Sequence, residues 1–413
     1  MTKRSASYRL AIAGGRPVRE RLLPYGHQSI DESDIGAVAD VLRSDWLTTG
    51  PKVREFERAF AVLTGASEAV ALSSGTAALH AAMHALGIGP GDEVIVPAMT
   101  FAASANCVVY LGATPVFADV DPFSLLIDPR DVEAKITART RAIIAVDYAG
   151  HPCDYDSLRA LAARHGLSLV ADACHSLGAH YKKRPVGSLA DLNVFSLHPV
   201  KALTTGEGGI VTTASFSTAH RLRRFRNHGI TSDHFQREQL GSWLYEMVEL
   251  GFNYRLSDIQ CALGLSQLGK LAQWVERRRA IARRYDDALA QLPGVAPLGL
   301  SPDVEHGYHL YVVELDQREL AADRALIFAA LRAEGIGVNV HYLPVHLHPF
   351  YRNSFGTGAG MCPEAEAAYQ RILSLPIFPA MNDDDVSDVI EAMGKVIGAY
   401  ASESRVAAAA AAR

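Results

Sequence analysis

The chain has 413 residues, of which 49% are hydrophobic and 21% charged, with a formal net charge of −5. That length exceeds a single core and implies a large domain with a smaller one, and that charge gives no electrostatic case for nucleic acid or an anionic membrane. Five cysteines are scattered without a CxxC pair, which argues against a disulfide framework or zinc site and for a reducing, cytoplasmic setting.

The N-terminal MTKRSASYRLAIAGG lacks the apolar core of a signal peptide, and no later run approaches membrane-spanning length. Ser29 or Asp31 then caps a helix whose apolar positions Ile35, Val38, Val41 and Leu42 keep helical spacing. The turn Trp46 to Pro51 follows, with Trp46 either a packing residue or a ligand contact, and a second helix spans about Lys52 to Leu63. From Glu68 the pattern becomes strand and helix in alternation: EAVALSS, DEVIVP, TPVFADV, RAIIAVDY, LSLVADA and NVFSL are short apolar strands. Such strands predict an α/β fold with a parallel sheet covered on both faces, and ligands beyond its C-terminal strand ends. Gly87, Gly89 and Gly91 precede a strand rather than follow one, so they form a turn and not a dinucleotide fingerprint. Helices run from about Ser257 to Leu292, and Arg277, Arg278, Arg279, Arg283 and Arg284 read as a solvated face. Pro293-Gly294 leads into a smaller α/β unit made of strand YHLYVVEL, helix RALIFAALRAEG, strand VNVHYLP and a last helix near Asp384 to Tyr400. The predicted divisions are 1–65, 66–292, 293–402 and a low-complexity tail, 403–413.

Four strand ends carry chemistry. Ser74-Gly75-Thr76 opens a helix, either as a plain N-cap or as a phosphate cradle of backbone N–H groups and a hydroxyl. Phe101 lies just past a strand, where it packs or covers a flat ring. Asp172 ends an apolar strand, with His175 three residues on; the carboxylate is a helix cap, or it waits for a cation such as a pyridinium N–H. Asn193–Leu197 reads as a buried strand that delivers Ser196 and then Lys201 to a glycine-rich turn. Lys201 either snorkels beside a hairpin or is a desolvated amine able to attack a carbonyl. A phosphate cradle, a ring-stacking aromatic, a buried acid and a lysine together are what pyridoxal phosphate requires. His341, His346 and His348 lack completing acidic or cysteine ligands in the sequence, and no metal is assigned to them.

DACHSLGA, SLHPVKALTTGEGGIV and LGFNYRLSDIQCALGLSQL resemble the DegT/DnrJ/EryC1/StrS family of sugar aminotransferases, from about Leu23 to the last helix. The resemblance implies a fold-type I pyridoxal phosphate enzyme whose large domain holds a mostly parallel seven-stranded sheet. It implies that Lys201 is the catalytic Schiff-base lysine and that Asp172 pairs with the ring nitrogen. Gly75, Thr76 and Ser196 would hold the phosphate, and Phe101 and His175 would flank the ring. Asn253 would reach the cofactor phosphate of a neighbouring subunit, making a homodimer with shared sites. LPYGHQSIDESDI, SDWLTTGPKV, PAMTFAASAN, VDYAGHPCD and VNVHYLPVHLHPFY are similar to the branch that aminates C4 of a UDP-linked 4-keto-6-deoxy-2-acetamido sugar in pseudaminic acid biosynthesis. By that likeness Tyr25, Trp46, Leu47, Thr48, Val340, His341, Tyr342 and Leu343 would line the sugar-nucleotide site. Glutamate would be the donor, with the cofactor passing through its pyridoxamine form. The leader LAIAGGRPVRE is instead similar to aminocyclitol and antibiotic-sugar members, and Leu197 stands where the family has phenylalanine. A sugar dehydratase would carry histidine in place of Lys201, and a silent scaffold would be expected to lose Lys201 or Asp172.

Overall fold

The computed structural model describes residues 9–232, 237, 239 and 241–401, so the Ala-rich tail lies outside the described residues. In chain order the first strands are β1 (Glu68–Leu72), β2 (Glu93–Pro97), β3 (Thr114–Ala118), β4 (Thr140–Val146) and β5 (Ser168–Asp172). The short β6 (His180–Tyr181) and β7 (Arg184–Pro185) precede β8 (Leu192–Ser196) and β9 (Gly209–Thr213). Seven of these form one sheet in the order β1-β9-β8-β5-β4-β2-β3. Its strands are parallel from β3 through β8, while β9 runs antiparallel between β8 and β1. All five residues of β2 are buried, as are Ala142 to Val146 of β4. Strands apolar on both faces must be covered on both, so helices sandwich the sheet. The alanine-rich helix Gly75–Ala85 buries nine of its eleven residues, which only an element packed on all sides can do.

Asp31, not Ser29, caps helix Glu32–Leu42, accepting from the Ser33 and Asp34 N–H groups in a capping box. The second helix spans Pro51–Thr64, and the long helical stretch is two helices, Asp258–Leu268 and Leu271–Leu289. Beyond it, β10 (Val295–Pro297), β11 (Val304–Glu305), β12 (Tyr311–Leu315) and β13 (Ile372–Leu375) follow. β10, β12 and β13 make an antiparallel sheet, whereas β11 pairs with β6. A second core, including Ile281, Tyr285, Leu331, Leu373 and Ile397, joins that sheet to helices Leu271–Leu289, Arg324–Ala333 and Asp383–Tyr400.

Two sequence expectations are corrected. VNVHYLP is no strand: it makes only the isolated bridge Asn339 to Ser374, and its partner β13 takes the sheet position instead. The Asn339 side chain accepts the Val340 N–H at 2.8 Å, which turns the chain out of the sheet. Of the arginine cluster, Arg283 is exposed and Arg277, Arg279 and Arg284 are partly exposed, but Arg278 departs from the solvated face. Arg278 is 1% exposed, and its guanidinium donates to the carbonyls of Tyr308, His309 and Ile377.

Candidate active site

Because the strands are parallel, the C-terminal ends of β1, β2, β4, β5 and β8 open on one side, and the residues following them line a cavity of about 530 Å³. Tyr25, Gly75, Thr76, Phe101, Asp172, His175, Ser196, Lys201, Val340, His341 and Tyr342 all line it. Trp46, Leu47, Thr48, Leu343 and Asn253 do not line it in their own chain. The turn holding Trp46 to Thr48 instead bridges Ser257, with the Leu47 carbonyl accepting the Asp258 N–H at 3.1 Å. Asn253 is exposed and bridges Asn227.

At the β1 end, Ser74 caps helix Gly75–Ala85 by accepting the Ala77 N–H at 3.0 Å. Gly75 and Thr76 of that first turn line the cavity, and the unpaired N–H groups of a helix N-terminus make a ready anion site. A Cβ on Gly75 would stand 2.9 Å from the Ser196 Cβ, and one on Gly209 would stand 2.2 Å from the Ser74 carbonyl oxygen. Only glycines allow helix, β8 and β9 to meet this closely, and that approach brings Ser196 beside Gly75.

Asp172 is 6% exposed at the end of β5. Ser104 donates its hydroxyl to one carboxylate oxygen at 2.7 Å, and the Cys174 N–H approaches the other at 3.3 Å. Thr100 in turn holds Ser104, with 2.7 Å between the hydroxyl oxygens. A carboxylate so oriented keeps unused lone pairs for a cation inside the cavity. Lys201 is half-buried, and loss of solvent lowers its pKa against the opposing pull of Cys174 and Asp172. Its Nζ lies 3.5 Å from His309 Nε2. Around them, His175 Nε2 lies 3.2 Å from the Tyr342 hydroxyl, and the Phe101 ring stands 6.0 Å from the Tyr342 ring. Burial, with Lys201 nearby, holds His175 well below the usual histidine range, and burial brings His341 to about 4. His341 is fixed by Ser374 and Asn339, and its carbonyl takes the Tyr148 hydroxyl. His346 is paired with Glu366 at 2.9 Å, an acidic neighbour that sequence reading did not find. Among the described residues, no three such side chains cluster as metal ligands would.

Sequence reasoning missed Ser104, His309 and Arg278. Ser104 comes from a different strand end than the acid it orients, and nothing local marks it. His309 precedes β12 in a stretch read wholly as strand. Arg278 does keep helical spacing with Val275, Ile281 and Tyr285, a signal that was there to use.

The sequence matches the DegT/DnrJ/EryC1/StrS aminotransferase family over residues 28–394. The chain belongs to that family. It is 43% identical over 381 residues to the spore coat polysaccharide biosynthesis protein SpsC of Bacillus subtilis, covering 92% of this chain and 98% of that one. The structure superposes on the PMP-form of the putative sugar aminotransferase Spr1654 from Streptococcus pneumoniae with TM-score 0.86 and 36% identity, over 91% of this chain and 99% of that chain. Spr1654 has also been solved in its PLP-form. Helicobacter pylori PseC, an aminotransferase of pseudaminic acid biosynthesis, gives TM-score 0.86 and 32% identity over 92% of this chain and 100% of that one. The fold of this family member is therefore that of the pyridoxal phosphate–dependent sugar aminotransferases, fold type I.

Proposed function

We propose that this family member transfers the amino group of glutamate to C4 of a UDP-linked 4-keto-6-deoxy-2-acetamido sugar, with pyridoxal phosphate as cofactor. The observation that carries the reading is the desolvated Lys201 amine sharing one cavity with the buried, donor-oriented Asp172. The residues fit the cofactor: Asp172 is a buried acid with lone pairs to spare, and the helix that opens at Gly75 lines the cavity beside Ser196, which suits an anion at a helix N-terminus. Bound there, pyridoxal phosphate supplies an electron sink for charge that develops at the α-carbon of an amino acid. Asp172 would keep the ring nitrogen protonated, while Ser74 to Thr76 and Ser196 would hold the phosphate. Phe101 and His175 would flank the ring. Lys201 Nζ, neutral when released because burial disfavours its charge, would take the proton from the α-carbon of glutamate and deliver it to C4′ of the cofactor. The same residues run the steps in reverse on the keto sugar, which gives ping-pong kinetics.

The sugar assignment rests on the likeness to PseC and on Tyr25, Val340, His341 and Tyr342 at the cavity wall. A second copy of the chain would complete the site with Asn253, Trp46, Leu47 and Thr48. Supporting this, Asn253 is exposed in a stretch where Trp243, Leu244, Tyr245, Met247 and Leu250 are exposed too, and such an apolar run normally meets a partner. Among the described residues no helix is long and apolar enough to cross a membrane, and we assign the enzyme to the cytoplasm. The higher identity to SpsC favours a second reading, an aminotransferase for another keto sugar of surface-polysaccharide or antibiotic assembly.

The deciding experiment is the visible spectrum of the purified protein before and after glutamate, followed by UDP-, GDP- and dTDP-4-keto sugars with product detection by mass spectrometry. A visible cofactor band lost on adding glutamate, then amination of the UDP sugar, is expected. Amination of a dTDP sugar alone would select the second reading. Protein that stays colourless after incubation with pyridoxal phosphate would sink both.

A further inference from the structure

We infer that His309 is the hydrogen-bond acceptor for Lys201 Nζ, clamped in place by the buried Arg278, and that it steadies the lysine while it carries the substrate's proton. The inference rests on the lysine chemistry proposed above and adds a positioning pair to it. His309 Nε2 stands 3.5 Å from Lys201 Nζ, within hydrogen-bond reach. The backbone under the ring is unusual: Tyr308 has φ 48°, in the left-handed region that a tyrosine rarely adopts. Something must hold it there. The Arg278 guanidinium donates to the Tyr308 carbonyl at 3.2 Å, the His309 carbonyl at 3.4 Å and the Ile377 carbonyl at 2.7 Å. From the other side, the Gly307 and Leu310 N–H groups donate to the Gly150 and Ala149 carbonyls.

A buried cation without a carboxylate is costly, and among the described residues none forms a salt bridge with Arg278. Two of its three carbonyl contacts fall on the short segment that carries His309, and the third ties that segment to Ile377. Every cationic or basic group facing the imidazole opposes its protonation: Lys201, His175, Arg278 and His341, with burial the largest effect. His309 is therefore neutral and accepts through Nε2, leaving its proton on Nδ1, which has no protein partner. Asp172 and Cys174 act on the lysine electrostatically, but among the described residues neither hydrogen-bonds to Nζ, so they do not replace the acceptor. When Lys201 takes a proton from carbon it becomes an ammonium in a poorly solvated site, and the Nε2 lone pair stabilises it without taking the proton.

The test compares His309→Phe, which removes the acceptor, with His309→Gln, which keeps one, and with Arg278→Met, which frees the segment. Two readouts are needed. The first uses cofactor-free protein: competitive acetylation of Lys201 across pH, read by mass spectrometry. The second follows the glutamate half-reaction, with and without deuterium at the α-carbon. His309→Phe should shift the acetylation midpoint to lower pH, slow the half-reaction roughly 10- to 100-fold and raise its isotope effect, as expected for loss of one hydrogen bond to a charged group. His309→Gln should recover most of both losses, and Arg278→Met should resemble His309→Phe in direction. An unmoved midpoint in His309→Phe, or a Gln variant no better than Phe, overturns the inference. If wild-type protein takes up the cofactor but ignores glutamate, the transaminase reading fails, and the acetylation midpoints still decide the His309–Lys201 pair.

Discussion

Lys201 and Asp172 place opposite demands on one cavity: the lysine must shed its charge, and the acid must meet a cation. Both demands come from burial near the end of an apolar strand, yet residue type and strand end alone left each residue a bland alternative. Only the set of four strand ends and the family resemblance singled the two out in the sequence. Lys201→Ala is expected to abolish turnover and the visible cofactor band, since no other amine lines the cavity among the described residues. Absorbance and single-turnover assays check this, and retained turnover would refute the assignment. Ser104 was invisible because its partner lies on another element, 68 residues along the chain. Ser104→Ala removes a donor from a buried carboxylate, a loss of about 1.5–3 kcal/mol. Cofactor affinity should fall roughly tenfold or more with little change in secondary structure, as equilibrium dialysis with pyridoxal phosphate would report. Affinity equal to wild type would mean that Ser104 does not orient Asp172.

Between whole elements, close approach decides what periodicity does not. Alternating strands and helices were readable because buried parallel strands are short apolar runs. The antiparallel insertion of β9 was not, because it depends on backbone meeting backbone at Gly209 and Ser74. VNVHYLP alternates as a strand should, yet Asn339 diverts it toward the cavity, and β13 occupies the sheet. The helix Gly75–Ala85 meets β8 with so little space that Gly75→Ala must push the Ser196 side chain aside. Overpacking of this kind costs about 1–3 kcal/mol. Since the strain falls on the expected phosphate cradle, cofactor affinity should drop along with the melting temperature. A variant that melts early but binds pyridoxal phosphate normally would separate helix packing from the cradle.

At the scale of the molecule, one chain holds a cavity that five of the expected site residues do not reach. If a second copy supplies four of them, Asn253 and Trp46 to Thr48, mixing Lys201→Ala and Asn253→Ala subunits should regenerate part of the activity, because one of the two sites in a mixed dimer then carries neither substitution. No recovery after proven subunit exchange would count against shared sites. The buried histidines give the whole fold a pH signature of definite sign. His80 and His341 are brought to about 4 by burial, and His175, His306 and His309 lie well below the usual range for the same reason. Unfolded, each titrates near 6.5. Between about 4 and 6.5 the unfolded chain thus binds protons that the folded chain refuses, so stability is full above that window and is lost as pH falls through it. Asp147 works the other way: burial raises it to about 6, so its contribution is present at low pH and is lost as pH rises through 6. The shifts of His80, His341 and Asp147 are each worth roughly 3 kcal/mol, and several histidines oppose one aspartate. The histidines win. Scanning calorimetry from pH 8 to 4.5 should show a level melting temperature above about 7 and a progressive fall below 6.5. A melting temperature that holds or rises on acidification to 4.5 would mean that these imidazoles reach solvent in the folded enzyme.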